Sequence, residues 1–381
     1  MTRENEDDII NIRSALYTTQ ECVYIKTYHI IAFMKGKAMK AIMIPEPGKV
    51  EISEIEKPVL KAGEAILKPL YGGLCGTDLN SYRGTAAYTV YPCLPGHEFS
   101  AEIVVIAEND KEFKPGMKVI CNPYFNCGKC YSCRHGLVNA CMDNKTMGVQ
   151  RSGAFSEYVS VPVERLFNGE GISAKTLAIV EPFVISYHII RRANVQPGDT
   201  VLIVGAGTIG VYSALAAMAL GGEVTICDIA EEKLDYAQKM YDIPHTILNS
   251  SPEAFMEGVK ELTGGNGFDV TVDAAGFPST FKNCVDALAY GGRLSLSGYS
   301  KDLLNGFDYS VIQKHELSIL GSRNGVKQDF EDALALVRAG KVDLDKAVTN
   351  VYSWLDAPKA FADFSANAGR MLKVMLNFTE G

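Results

Sequence analysis

The sequence predicts an α/β protein that pairs a β-rich domain with a doubly wound parallel-sheet domain, and three observations carry that expectation. From Met39 to about residue 170, short apolar runs are broken repeatedly by Gly and Pro. From Asp199 onward, apolar runs of strand length alternate with stretches of helical period. A glycine-rich run, Gly205-Ala206-Gly207-Thr208-Ile209-Gly210, sits directly between one such strand and one such helix. Short strands punctuated by turn residues read as an all-β region with long functional loops, whereas alternating strand and helix means parallel βαβ units. At 381 residues the chain is long enough for two cores of ordinary size.

Taken in order, residues 1–38 open with the acidic run Glu4, Glu6, Asp7, Asp8 and lack the basic start and apolar core of a signal peptide. They read as a poorly ordered extension or an upstream start, with Met39 opening the folded protein; a targeting or regulatory role is the alternative. Strands are expected at 40–44, 65–69 and 102–107. In the second part, strands are expected at 201–204, 224–227, 270–274, 293–297 and 318–321, with helices at 208–220, 231–240, 279–289 and 328–339.

Hydrophobic residues make up 47% and charged residues 22%, the usage of a compact globular protein. The net charge of −8 offers no basic footprint for nucleic acid or an anionic lipid surface. No stretch approaches the roughly 20 apolar residues needed to span a bilayer. A soluble, cytoplasmic protein acting on a small molecule is expected, with neither nucleic acid nor membrane as a partner.

The glycine run is the cofactor candidate. Alone it is weak, but here it has a strand before it, a helix after it and Asp228 closing the next strand. Gly205 permits the tight turn, Gly207 lets the backbone approach a pyrophosphate, and Gly210 lets the helix pack on the strand, its N-terminus facing the phosphate. Gly205, Gly207, Ile209 and Gly210 are therefore the expected contacts. The Asp228 carboxylate suits both hydroxyls of an adenosine ribose and repels a 2′-phosphate, and Ile229 follows it rather than Arg, so NAD is preferred over NADP.

Five of the ten cysteines crowd one segment. Cys127, Cys130, Cys133 and Cys141 place four thiolates in one lobe, the donor set of a closed tetrahedral zinc site with no place for substrate; an iron–sulfur cluster is the alternative. Cys121 reads as an ordinary buried thiol. In a chain of this size without a secretion signal, metal is a better reading than disulfides. A second set, Cys75-Gly76-Thr77-Asp78 and Gly96-His97-Glu98, puts a thiolate, an imidazole and a carboxylate on neighbouring loops. Beside a nicotinamide site, these suggest a catalytic zinc with an open position. Glu181 is a candidate fourth ligand or water-bridged partner, or else a carboxylate at a helix N-terminus.

In order and approximate spacing, the CGTD run, the GHE run, the four-cysteine lobe and GAGxxG resemble the zinc-dependent medium-chain alcohol dehydrogenases over residues 39 to about 375. The chain resembles the sorbitol and threonine dehydrogenase branch, and its segment from Glu181-Pro182 through His188 and Arg191-Arg192-Ala193 to Gly205-Ala206-Gly207 is similar especially to the sorbitol dehydrogenases. The resemblance implies a GroES-like catalytic domain over 39–184 and 323–381 around a Rossmann NAD-binding domain over 185–322. It implies Cys75, His97 and Glu98 as zinc ligands with Glu181 close by, Lys233 helping Asp228 hold the ribose, and Gly298 and Arg323 lining the nicotinamide end. It also implies a homodimer or homotetramer. Two departures stand out: Asn80 replaces the usual His of the proton relay, and Ala101 and Ala107 replace glycines that follow GHE.

The expected chemistry is hydride transfer from a secondary alcohol to NAD, giving the ketone. Thr77 would pass the proton outward, Asp78 would orient His97, and Glu98, water or the ribose hydroxyls would take over from the missing His. A polyol or sugar acid is the expected substrate, with Tyr82, Arg83 and Arg323 near enough to meet polar groups. A threonine-type amino alcohol, a carbonyl reductase run in reverse and a non-catalytic NAD-binding protein are the alternatives.

Overall fold

The computed structural model describes residues 37–86 and 89–380, so the expectation for the first 36 residues lies outside the described part. The chain begins with a hairpin of β1 (Ala38–Met43) and β2 (Glu51–Glu56). The strands β3 (Glu64–Leu74), β4 (Glu98–Ile106), β5 (Lys118–Cys121), β8 (Val159–Pro162) and β9 (Leu166–Asn168) build most of a seven-stranded sheet. Between them β6 (Tyr124–Phe125) and β7 (Lys145–Thr146) form a small separate ribbon.

The second sheet is wholly parallel. Its strands are β10 (Thr200–Val204), β11 (Glu223–Asp228), β12 (His245–Leu248), β13 (Phe268–Asp273), β14 (Leu288–Leu296) and β15 (Ser318–Gly321). They lie in the order β12-β11-β10-β13-β14-β15, two mononucleotide-binding halves meeting between β10 and β13. The four residues Val201 to Val204 are all buried, and the helix Thr208–Ala219 that follows is buried along most of its length, so its sequence is apolar all round.

The chain then returns to the first sheet. The strands β16 (Val348–Ser353) and β17 (Lys373–Asn377) pair in parallel, and β17 runs antiparallel to β3 with Val374 opposite Leu74. The helix Val180–Arg192 joins the two sheets. It packs on the helices Thr208–Ala219 and Lys327–Arg338, and one apolar cluster runs from Ile120 and Phe167 through Phe183 to Val201 and Ile203.

Two expectations need correcting. Residues 39–170 are not all β: the helix Gly76–Arg83 holds Thr77 and Asp78, so the CGTD run is a helix start rather than a loop. Only Asp78, Leu79 and Ser81 of that helix are buried, too few apolar positions to leave a 3.6-residue signature. The helix expected at 279–289 is Pro278–Asp286, and Leu288 already pairs with Phe268 in β14. The apolar alternation of Val285, Ala287 and Ala289 runs through the junction with no turn residue to mark it.

Candidate active site and cofactor cleft

The antiparallel register of β3 and β4 sets Gly73 opposite Glu98, so Cys75, just beyond the end of β3, meets His97 and Glu98 at the start of β4. The ligand atoms of Cys75, His97 and Glu98 lie within 4.8 Å of one another, and His97 and Glu98 are buried. A Cβ at Gly73 would stand 2.2 Å from Glu98 Oε2, so only glycine makes room for the carboxylate. Cys75 caps the helix Gly76–Arg83, and its amide donates to Asp78 Oδ2 at 3.0 Å. Asp78 Oδ1 accepts from the Gly96 amide at 3.3 Å, so one buried carboxylate fastens both arms of the cluster.

Asp78 does not hydrogen-bond the His97 ring. Nδ1 of His97 is 3.9 Å from Asp78 Oδ1 and is a buried nitrogen without a hydrogen-bond partner. Thr77 lies against the cluster, its Oγ1 3.7 Å from the Cys75 sulfur. Glu181 is buried in the first turn of its helix but stands outside the three-residue cluster, its carboxylate accepting a hydrogen bond from the Tyr124 hydroxyl. Burial pushes its carboxyl up to about 7, opposed by His97 and reinforced by Glu98.

Two residues that sequence reasoning missed complete this centre. Lys373, at the start of β17, donates to Glu98 Oε2 at 2.7 Å and Oε1 at 2.9 Å and to the Leu74 carbonyl at 3.3 Å. Burial by itself would push its ammonium down, but Glu98 and Cys75 hold it above the ordinary lysine range. Tyr124 is the other. Its position three residues before Cys127 is visible in the sequence, but nothing local points to Glu181. Of the residues expected near a polar substrate, Arg83 donates to the Ser365 hydroxyl and carbonyl, and the Tyr82 ring packs on Phe361. Asn80 accepts the amides of Thr85 and Ala86 through its backbone oxygen, a turn role.

The four lobe cysteines also converge within 4.8 Å. The sulfurs of Cys130 and Cys133 are 3.5 Å apart and those of Cys130 and Cys141 3.9 Å. Zinc–sulfur bonds of about 2.3 Å give tetrahedral edges of about 3.8 Å, so the spacing fits zinc as it stands. Backbone amides of Cys133 and Met142 draw the Cys130 thiol down to about 6, as a thiolate ligand needs, while burial pushes Cys141 up to about 11. At the first cluster, a thiolate, an imidazole and a carboxylate converging on one point are likewise zinc donors, three in number.

Along the carboxyl edge of the parallel sheet, Gly205 takes a φ of 108° that favours glycine, and a Cβ at Gly210 would lie 1.7 Å from the Gly205 oxygen. Gly207 faces open space. Asp228 accepts the amides of Ala206 at 2.7 Å and Ala230 at 2.9 Å, with Lys233 Nζ 3.9 Å away. Ile229 is 78% exposed, and the Ile209 carbonyl accepts from Ser186. Gly298 packs so closely that a Cβ would stand 2.2 Å from Gly276. Arg323 is exposed, and its carbonyl accepts from Asn139 at 2.9 Å.

A doubly wound dinucleotide fold beside a β-sheet domain bearing an open three-donor metal cluster defines a metal-dependent, nicotinamide-linked dehydrogenase. Residues 61–170 match the model of the alcohol dehydrogenase GroES-like domain, and residues 208–339 that of the zinc-binding dehydrogenases. The L-galactonate-5-dehydrogenase of Escherichia coli is 32% identical over 340 residues, 89% of this chain and 99% of the relative. The sorbitol dehydrogenase of Halalkalibacterium halodurans is 31% identical over 343 residues, again 89% and 99%. A crystal structure of the Escherichia coli RspB protein with NADH superposes with a TM-score of 0.82 at 29% identity, covering 90% of this chain and all of that one. The chain belongs to the zinc-type medium-chain alcohol dehydrogenase family, and its cofactors are zinc and NAD.

Proposed function

We propose that the protein oxidises a secondary alcohol of a polyol or sugar acid to the ketone with NAD as hydride acceptor. The observation that carries this reading is the convergence of Cys75, His97 and Glu98 next to a cleft whose acidic Asp228 suits an unphosphorylated ribose. Relatives named for L-galactonate and sorbitol support the substrate class.

When bound, zinc supplies Lewis acidity at the substrate hydroxyl and the nicotinamide accepts the hydride. Cys75, His97 and Glu98 would hold the metal, and Asp78 keeps their two arms in register through the amides of Cys75 and Gly96. Thr77 would carry the departing proton through its hydroxyl. Glu181, whose carboxylate accepts from the Tyr124 hydroxyl, would border the metal as a fourth ligand or water-bridged partner. Cys127, Cys130, Cys133 and Cys141 would hold the structural zinc. Gly205, Gly207, Ile209 and Gly210 would cradle the pyrophosphate, Asp228 and Lys233 the ribose, and Gly298 and Arg323 the nicotinamide end.

Residues 39–184 with 323–381 would form the catalytic domain and 185–322 the NAD domain. A homodimer or homotetramer is part of the reading, supported by β15, whose outer edge no strand of the described chain covers. A cytoplasmic location suits the nine free cysteines among the described residues. No described helix is long and apolar enough to cross a membrane.

The test is NADH formation on a panel of hexonates, polyols, threonine and simple secondary alcohols, with zinc measured on the same sample. Turnover of a sugar acid or polyol that is lost on chelation supports the proposal. Turnover of threonine alone would replace the substrate class, and zinc-independent turnover would sink the site.

A further inference from the structure

Asn139 lies two residues before Cys141, inside the four-cysteine lobe, yet its side chain serves the other side of the molecule. One hydrogen of its amide goes to the Arg323 carbonyl at 2.9 Å, and the other points to Nε2 of His188 at 3.2 Å. An amide nitrogen only donates, so Nε2 is the acceptor and the ring hydrogen sits on Nδ1. That hydrogen is donated to Asp329 Oδ2 at 2.8 Å, and the same oxygen accepts the Val326 amide at 2.7 Å. Asn324 closes the circuit by donating to the Asn139 backbone carbonyl at 3.2 Å. His188 is 3% exposed and Asp329 0%. Gly325, between them, has no room for a side chain, since a Cβ would stand 2.5 Å from Val184 Cγ1.

Segment 323–326 is thus pinned from the lobe on one side and from the helices Val180–Arg192 and Lys327–Arg338 on the other. It follows β15, the sixth strand in the order, and so belongs to the half of the carboxyl edge that takes the nicotinamide. The bonds run in one self-consistent direction, with Asp329 Oδ2 accepting from both the His188 ring and the Val326 amide, which makes the network a rigid unit rather than a set of chance contacts.

We propose that Asn139 is a positioning residue through which the four-cysteine lobe fixes the 323–326 loop, so that metal in the lobe raises affinity for the dinucleotide. The dinucleotide half of this statement rests on the function proposed above. The lobe is then a brace for the cofactor cleft and not merely a local staple.

The experiment compares the zinc-loaded wild type with Asn139→Ala and Asn139→Asp by hydrogen exchange of the 323–326 amides, zinc content and NADH binding by fluorescence. Asn139→Asp keeps the size but removes both hydrogens. Both variants are expected to keep the zinc content of the wild type, to exchange the loop amides about tenfold faster, and to bind NADH about fivefold more weakly, the scale of one lost hydrogen bond. Releasing the lobe zinc from the wild type should expose the same amides. Unchanged loop exchange in both variants overturns the brace, and faster exchange with unchanged NADH affinity overturns its link to the cofactor. A wild type that binds no NADH would refute the proposed function, while the exchange comparison still decides the brace.

Discussion

Lys373 and Glu98 form a two-pronged ion pair, 2.7 and 2.9 Å long, with side chains only 4% and 1% exposed. The lysine reaches this site from the last strand of the catalytic sheet, and Glu98 is one of three residues converging on the metal position. The pair sets an ammonium beside a buried carboxylate at the metal position. Replacing Lys373 by Met leaves that charge without its counterion, and breaking a buried pair costs about 3–5 kcal/mol. Denaturant unfolding of metal-free Lys373→Met should show a loss on that scale, and the double variant with Glu98→Gln should recover most of it. Equal losses in the single and double variants would mean that the lysine acts through packing alone.

His97→Ala and Cys75→Ser remove one donor each from an open cluster that has three. Each variant should hold one zinc per chain where the wild type holds two, turn over no alcohol and still bind NADH, because the glycine run and Asp228 belong to the other sheet. Metal analysis and NADH fluorescence on the same preparations check this. Full zinc content in both variants would move the metal elsewhere.

Gly298→Ala places a methyl 2.2 Å from the Gly276 backbone, where neither chain segment is a flexible side-chain tip. The loops after β13 and β14 must part, at a cost of about 1–3 kcal/mol. Weaker NADH binding by about tenfold, with both zincs retained, is the expected outcome of a fluorescence titration.

Chelation followed by an alkylating reagent at mildly alkaline pH should separate the cysteines into two groups. Cys127, Cys130 and Cys133 are partly exposed, and amides already favour the Cys130 thiolate. Cys121 and Cys227 are buried, and burial pushes both thiols up to about 12. Mass mapping should therefore find label on the lobe and none on Cys121 or Cys227, with zinc protecting the lobe. Label on Cys121 would show that the domain opens when the metal leaves.

What was legible in the sequence followed from spacing. The glycine run, Asp228 and the four lobe cysteines act within short stretches of chain, and their geometry is a local matter. The parallel sheet was legible too, because β10 is buried on both faces and reads as a continuous apolar run. The pairings Lys373 with Glu98, Tyr124 with Glu181 and Asn139 with His188 were not. Each joins residues 275, 57 or 49 positions apart, and only the register of β3 with β4 and β17, or the docking of a helix, brings them together. Asp78 was read as a partner of His97, whereas its oxygens go to two backbone amides that no side-chain pattern advertises.

The antiparallel pairing of β17 with β3 also bears on how the protein is made. Leu74 and Lys373 are 299 positions apart, so at about 5–20 residues per second a ribosome needs roughly 15–60 s to deliver the second after the first. Through that interval the edge of β3 that β17 will cover is bare, and Glu98 has no lysine beside it. The nascent chain therefore passes through a stage with a sticky strand edge and an unneutralised acid, and a helper that shields that edge, or a metal ion that reaches the acid first, would have its greatest effect on yield then.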